Sequence, residues 1–250
     1  MTRFIAAAAL TLLAAPAWAA HPLITDDTGT QGAGGNQAEF TFDRAESGKG
    51  SSKSHENAFA FTYTRGLTDT LDFFVGGTRL DLRDPSANDG ARVKGEGDSA
   101  LGLKWRYAEK DGLSLGLKLT ASLGTGDDAR GLGAGRSTQS LLHVTQLETK
   151  AGDLLINVGL TNNGKTADER RTLWNASAAW LVPVREDLTF ALDLGVAQQA
   201  SKDSSKHPAY ALIGLIWSLT EKIDLDIGYK HGLNDQEPDS QLGVGLTVRW

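Results

Sequence analysis

The sequence contains no cysteine, which excludes a disulfide framework, a thiolate metal site and a lipid-modified N-terminal cysteine. Beyond its N-terminal stretch it also lacks an apolar run long enough for a membrane helix. The longest, "YALIGLIW", covers only Tyr210–Trp217, where a spanning helix needs about 20 residues. No basic excess is present: the formal net charge is −6 over 250 residues, so the basic face that nucleic-acid binding needs is missing. The five histidines, His21, His55, His143, His207 and His231, show no ligand spacing along one strand pattern, and no metal or cofactor is indicated. What is abundant is glycine, at 29 residues, which suits turns and close strand packing. The mean hydropathy of −0.27 reads as soluble for most folds. It fails as a guide for transmembrane barrels, whose strands are only half apolar.

The first residues, "MTRFIAAAALTLLAAPAWAA", place Arg3 before an apolar stretch and a small-residue "AWA" at Ala17–Ala19. This predicts a secretory signal peptide over residues 1–19, cleaved after Ala19. A polar, glycine-rich lead-in follows at 20–35. It is expected on the periplasmic side, across or within the lower mouth of whatever 36–250 forms, narrowing it.

Residues 36–250 alternate. In "LSLGLKLTASL" the residues Leu113, Leu115, Leu117 and Leu119 oppose Ser114, Gly116, Lys118 and Thr120. In "QLGVGLTVRW" Leu242, Val244, Leu246, Val248 and Trp250 oppose Gln241, Gly243, Gly245, Thr247 and Arg249. A period of two marks strands, since a helix repeats every 3.6 residues. Twelve such segments are read, at 36–43, 57–65, 70–80, 99–107, 113–123, 139–148, 153–161, 172–182, 188–198, 208–218, 222–231 and 240–250. In the sixth neither face is cleanly apolar.

The connections alternate between long polar stretches (44–56, 81–98, 124–138, 162–171, 199–207, 232–239) and short turns such as "AEKDG" and "PVRED". Both termini thus fall on the short-turn side. The expected fold is all-β: a transmembrane antiparallel up-and-down barrel of about twelve strands, with short periplasmic turns and long extracellular loops. A soluble sandwich also alternates, but explains neither the loop pattern nor the aromatics. Tyr63, Trp105, Tyr107, Trp180, Trp217 and Trp250 gather at the lower ends of alternate strands, where an interfacial girdle would sit. Phe59, Trp174, Tyr210 and Tyr229 lie near the upper ends.

The face opposite the apolar one carries Glu39, Asp43, Asp72, Lys104, Arg106, Lys118, Asp193, Asp224, Asp226, Lys230 and Arg249. These are the candidate lumen-facing residues. The apolar face is expected to be free of charge except at strand ends (Arg65, His231), because a charge facing lipid at mid-depth costs about 2–4 kcal/mol.

"GLTNNGKT", Gly159–Thr166, matches the phosphate-loop pattern. That motif needs a buried parallel strand before it and a helix after it. Here alternating strand patterns flank it, so an external loop is read and no nucleotide is expected. His143 is the only histidine inside a strand pattern. Nearby Ser140 lies on the opposite face, so the only candidate pair for a lipid hydrolase is poor and His143 is read as a lumen-facing polar residue.

"HPLITDDTGTQG" (His21–Gly32), "RGLTDTLDFFVG" and "GDSALGLKWRY" resemble the outer-membrane barrel family associated with the meta-pathway of phenol degradation, whose members are labelled transporters. The resemblance runs along the chain from residue 20. It implies a barrel in the outer membrane of a Gram-negative bacterium, involved in uptake of aromatic or other hydrophobic solutes; it supplies no catalytic residues. A last strand ending on an aromatic, Trp250, also resembles the signal read by the barrel-assembly machinery. The leading reading is therefore a channel or transporter for small solutes, set in outer-membrane lipid. The rivals are a non-conducting structural barrel and a barrel hydrolase.

Overall fold

In a computed structural model, residues 21–85, 90–164 and 167–250 are described; the signal-peptide reading, including Ala19, lies outside them. The strands are β1 (Asn36–Ser47), β2 (Ser54–Gly66), β3 (Leu71–Arg83), β4 (Arg92–Glu96), β5 (Ser99–Lys110), β6 (Leu113–Leu123), β7 (Thr138–Thr149), β8 (Gly152–Asn162), β9 (Thr172–Arg185), β10 (Leu188–Ala197), β11 (Ala209–Thr220), β12 (Ile223–Gly232) and β13 (Ser240–Arg249). Every pairing is antiparallel between neighbours. The sheet closes because β1 pairs with both β2 and β13, and β3 with both β2 and β5. Closure removes the sheet edges that a transmembrane β-structure cannot leave unpaired.

Twelve strands form the barrel and β4 is additional. Residues 81–98, expected as an external loop, carry β4, which pairs with the upper part of β3 from Arg79↔Glu96 to Arg83↔Arg92. β4 and β5 follow one line along β3, broken at Gly97–Asp98, where Gly97 donates to the Thr78 carbonyl at 2.8 Å. A bulge of this kind lets a strand bend away from the barrel while keeping one partner. Its polar composition hid it in the sequence: Arg92 and Lys94 read as loop, yet both pair with Asp81 across the ladder.

The alternation turns into two faces. Outward, Leu119, Val158, Leu160, Leu194, Ile213 and Leu242 are exposed. Inward, Lys118, Asn157, Asp193 and Asp226 are buried. Two expectations about the outer face need correction. Tyr210 is not an upper interfacial aromatic. It is buried and donates to Asp193 at 3.1 Å, because its parity matches Leu212 rather than Trp217. The outer face is also not free of charge: the register puts Arg44, Arg79, Asp81 and Arg83 in line with the outward Phe42 and Phe59; Arg44, Asp81 and Arg83 lie where β1 and β3 extend beyond the segments read from the sequence, and Arg79 lies within the segment 70–80.

At the short-turn rim Trp105, Tyr107, Trp180, Trp217 and Trp250 are exposed and Tyr63 is partly so. The Trp217 indole donates to Asp187 at 2.9 Å, and the Tyr63 hydroxyl donates to Asn36 at 2.6 Å. Trp250 closes the seam. Its N–H donates to the Asn36 carbonyl at 3.1 Å, its carbonyl accepts from Asn36 N–H at 3.0 Å, and its ring lies 6.3 Å from that of Tyr63. Trp250→Asp is expected to slow folding into bilayers and to lower the heat-shifted fraction on gels. Insertion at the wild-type rate would leave Trp250 as a passive anchor.

Candidate functional site

The barrel interior is occupied by residues 21–35. The segment enters at the short-turn rim, where Gly34 donates to the Gly66 carbonyl at 3.0 Å and Gly66 donates to the Gly35 carbonyl at 2.9 Å. From there it climbs to the level of Asp43 and Asp226, deeper than the lower mouth, held by one wall residue after another. Asp72 accepts the Gln31 N–H at 3.0 Å. Gln146 accepts from both the N–H and the hydroxyl of Thr28. Asn157 clasps Asp26 both ways, accepting its N–H at 2.7 Å and donating to its carbonyl at 2.9 Å. Asp193 accepts from Ile24 N–H at 2.7 Å, Thr25 N–H at 2.8 Å and the Thr25 hydroxyl at 2.6 Å. A short irregular strand cannot satisfy its own backbone groups, so the wall's side chains do it.

Two further devices fix this plug. Leu23 and Ile24 pack on Leu155, Ala179, Leu181, Ala191 and Leu212, an apolar cluster inside the barrel on the β8–β11 wall. Beyond it, inward glycines make room. A Cβ on Gly228 would lie 2.5 Å from Pro22 Cβ, one on Gly214 2.5 Å from Pro22 Cγ, and those on Gly243 and Gly245 would meet the His21 ring. Gly228→Leu should therefore displace the tip of the plug while leaving the outward face of β12 intact. Faster protease cleavage within 21–35 would show this; unchanged cleavage would refute it.

Charges complete the anchorage. Asp26 receives Lys104 at 2.9 Å and also Lys118, and Lys104 reaches Asp27 at 2.8 Å. Burial works against the Asp26 carboxylate, but the two ammonium groups outweigh it and hold its pKa below the ordinary value. His21 bonds Asp226 and lies 3.6 Å from Asp43. Burial alone would lower its pKa; hydrogen bonding and attraction from those carboxylates raise it to about 9. A raised pKa contributes stability that is complete below the ordinary value of 6.5 and is lost as pH rises through about 9. The depressed Asp26 contributes above its ordinary 3.8 and fades as pH falls through its folded value. Plug anchorage should thus be steady between about pH 4 and 6.5 and weaken toward pH 10. Hydrogen exchange of residues 22–28 should speed up over that alkaline range, and less so in His21→Gln.

The remaining candidates from the sequence are placed as follows. Glu39 is 8% exposed on β1. Asp43 accepts from Gln241 at 2.8 Å. Lys230 pairs with Glu237 at 2.9 Å, both nearly buried. Arg249 pairs with Asp224 at 2.6 Å and donates to Gln37. Arg106 reaches Glu109 and the Asp69 carbonyl. His143 is corrected: it lies on the outer face, bonded to the Tyr107 hydroxyl at 2.9 Å, while Val144 is buried inward. Ser140 lines the interior, so the two are on opposite sides of the wall. β8, ahead of the phosphate-loop lookalike, is antiparallel to both neighbours, and Lys165 and Thr166 lie outside the described residues.

Two spaces remain around the plug. The upper one, about 490 Å³, has a largely apolar surface that includes Ala58, Ala60, Leu80, Leu82, Leu132 and Leu142, with charged groups such as Glu39, Asp43, Glu56, Lys118 and Lys230 set into it. Leu132, from the loop after β6, is buried at its edge; Asp98 holds that loop inward by accepting from Gly126 and Ala134 N–H at 2.8 Å each. The lower space, about 530 Å³, is polar and opens beside Gln37, Asp72 and Arg249. They adjoin at Asp26, Glu39, Thr62 and Lys118, which line both. Sequence reading missed Glu56, Thr62, Asn157 and Gln146, all at inward parity on their strands.

A closed barrel of this kind, with its apolar belt outside and polar groups inside, is a transmembrane barrel of the outer-membrane class. The chain belongs to the family described as the MetA-pathway of phenol degradation, whose model matches residues 25–250. Among solved structures it is similar to an outer-membrane channel from Pseudomonas putida F1, with 15% identity, a TM-score of 0.73, and 90% of this chain and 98% of that one covered. It is also similar to the translocator domain of the autotransporter NalP from Neisseria meningitidis, with 13% identity, a TM-score of 0.58, and coverage of 89% and 91%. The KdgM porin gives 6% identity, a TM-score of 0.57, and coverage of 85% and 98%. These likenesses establish the fold. No curated protein matches the chain in sequence.

Proposed function

We propose that the protein is a channel of the bacterial outer membrane that passes small, largely apolar solutes, aromatic compounds among them, around a fixed internal plug. The observation that carries this reading is the pair of spaces above and below the plug, adjoining along the β1–β2 wall. The small side chains Ala58 and Ala60 and the leucines beside them offer an apolar solute a surface without fixed hydration. The ion pairs on the plug side offer a small inorganic ion few unpaired partners. Export by the signal peptide ending at Ala19 and insertion by the barrel-assembly machinery complete the account. The protein acts by passage and not by catalysis; His143 and Ser140, on opposite faces of β7, cannot act together.

The test is flux into liposomes. Protein-containing vesicles should equilibrate a small neutral aromatic alcohol faster than empty ones and should exclude a disaccharide. Equal rates with and without protein would favour a non-conducting barrel, for which the pairing of interior charges also speaks.

A further inference from the structure

The outer wall of β1–β4 departs from the rest of the belt. The register places its outward residues in rows. Phe40 stands beside Phe61; one step up, Phe42 and Phe59 continue into Arg79 and Glu96. Above them lie Arg44, Asn57, Asp81 and Lys94, then Glu46, His55, Arg83 and Arg92. Five permanent cations thus share this patch with three carboxylates, in a protein whose net charge is −6. Two of the carboxylates are divided among several cations, Glu46 among Arg44, Lys53 and His55, and Asp81 between Arg92 and Lys94, while Glu96, among the described residues, pairs with Arg79 alone. The cations stay open to the outside, with the Arg79 side chain 62% and that of Arg92 56% exposed.

The height of the patch decides what it meets. The top row lies eight residues above Tyr63 along β2, which is roughly 20 Å at about 3.3 Å per residue and a strand tilt near 40°. That is close to the height of the apolar band of such barrels, about 25 Å. The cations therefore stand at the boundary between hydrocarbon and headgroups on the long-loop side. Directly beneath them are four exposed phenyl rings, with Gly77 adding no side chain beside Phe61.

We propose that this patch binds the phosphates of an acylated sugar phosphate of the outer leaflet, an amphiphile of the lipid A type, with its acyl chains on the Phe40–Phe42–Phe59–Phe61 surface. Guanidinium groups suit phosphate oxygens through bidentate hydrogen bonds, and the rings below supply the apolar half of the site. The assignment rests on the outer-membrane reading. It adds a ligand on the outer wall that the transport path does not require.

The test uses the folded full barrel in zwitterionic detergent and follows bound lipid by native mass spectrometry. The probes are bisphosphorylated lipid A, the same lipid dephosphorylated, and inorganic phosphate. The wild type should retain bisphosphorylated lipid A at least tenfold more tightly than the dephosphorylated form, and inorganic phosphate should not displace it at equal concentration. Arg83→Ala/Arg92→Ala/Lys94→Ala should lose that preference, while Arg185→Ala on the opposite rim should keep it. If the triple variant fails to fold, Arg83→Gln alone should weaken binding. Salt at about 1 M, which shortens screening to about 3 Å, should weaken wild-type binding. Equal retention of both lipids by the wild type, or full displacement by inorganic phosphate, would overturn the proposal. A barrel that folds in detergent but does not insert into bilayers would instead count against the membrane reading.

Discussion

Deletion of residues 21–35 should turn a weakly conducting barrel into an open pore. The plug meets β1, β3, β5–β8, β10 and β12 through side-chain bonds, so its removal empties the middle of the lumen. Eight-stranded barrels are filled by their own side chains, while sixteen-stranded ones hold an aqueous channel. Twelve strands fall between, so this lumen is wide enough to conduct once cleared. Single-channel conductance in planar bilayers should rise several-fold over wild type, and the disaccharide excluded by the intact protein should enter liposomes. Because the deletion leaves every wall-to-wall strand pairing in place, the variant should still show a β-type spectrum and a heat-dependent gel shift. Unchanged conductance would mean that the plug does not limit passage.

Replacement of Asp26 by alanine should be the most damaging single change inside the lumen. It leaves Lys118 buried and without the carboxylate it bonds, and reduces Lys104 to Asp27. Removing one partner of a buried ion pair typically costs about 3–5 kcal/mol, because the other charge is stranded. Part of that cost is avoided if the plug leaves and water enters. The expected result is a lower unfolding temperature together with conductance that flickers toward the level of the plug deletion. Asp26→Ala/Lys118→Met should recover part of the lost stability, since it removes the buried ammonium whose bonded carboxylate has gone. If Asp26→Ala unfolds at the wild-type temperature and conducts normally, the triad does not hold the plug.

The wall was legible in the sequence; of the plug, its place at the lower mouth was read but its depth and anchors were not, for a physical reason. A strand announces itself by period two, and Leu113–Leu123 or Ser240–Arg249 could be read from their own residues. The segment His21–Gly35 has no period because each of its residues answers a different strand: Thr25 to Asp193, Asp26 to Asn157, Thr28 to Gln146. Its presence in the lumen was still faintly written on the opposite wall, in Gly214, Gly228, Gly243 and Gly245, which share inward parity on three consecutive strands. β7 misled because its outer face mixes Leu141 and Leu147 with His143 and Thr145, so parity alone gave no side to His143. β4 was missed because its polar residues stabilise a ladder by cross-strand ion pairs, without alternating hydrophobicity.

The central claim is that solutes pass between the plug and the β1–β2 wall. Ala60 faces the upper space on that wall, so Ala60→Trp should fill the path without touching the plug's anchors. Single-channel recording of wild type and Ala60→Trp, both verified as folded by their gel shift, tests this most directly. The account predicts small, well-defined conductance steps for wild type and their near-complete loss in Ala60→Trp. Equal steps in the two proteins, or a wild type that never conducts, would contradict it.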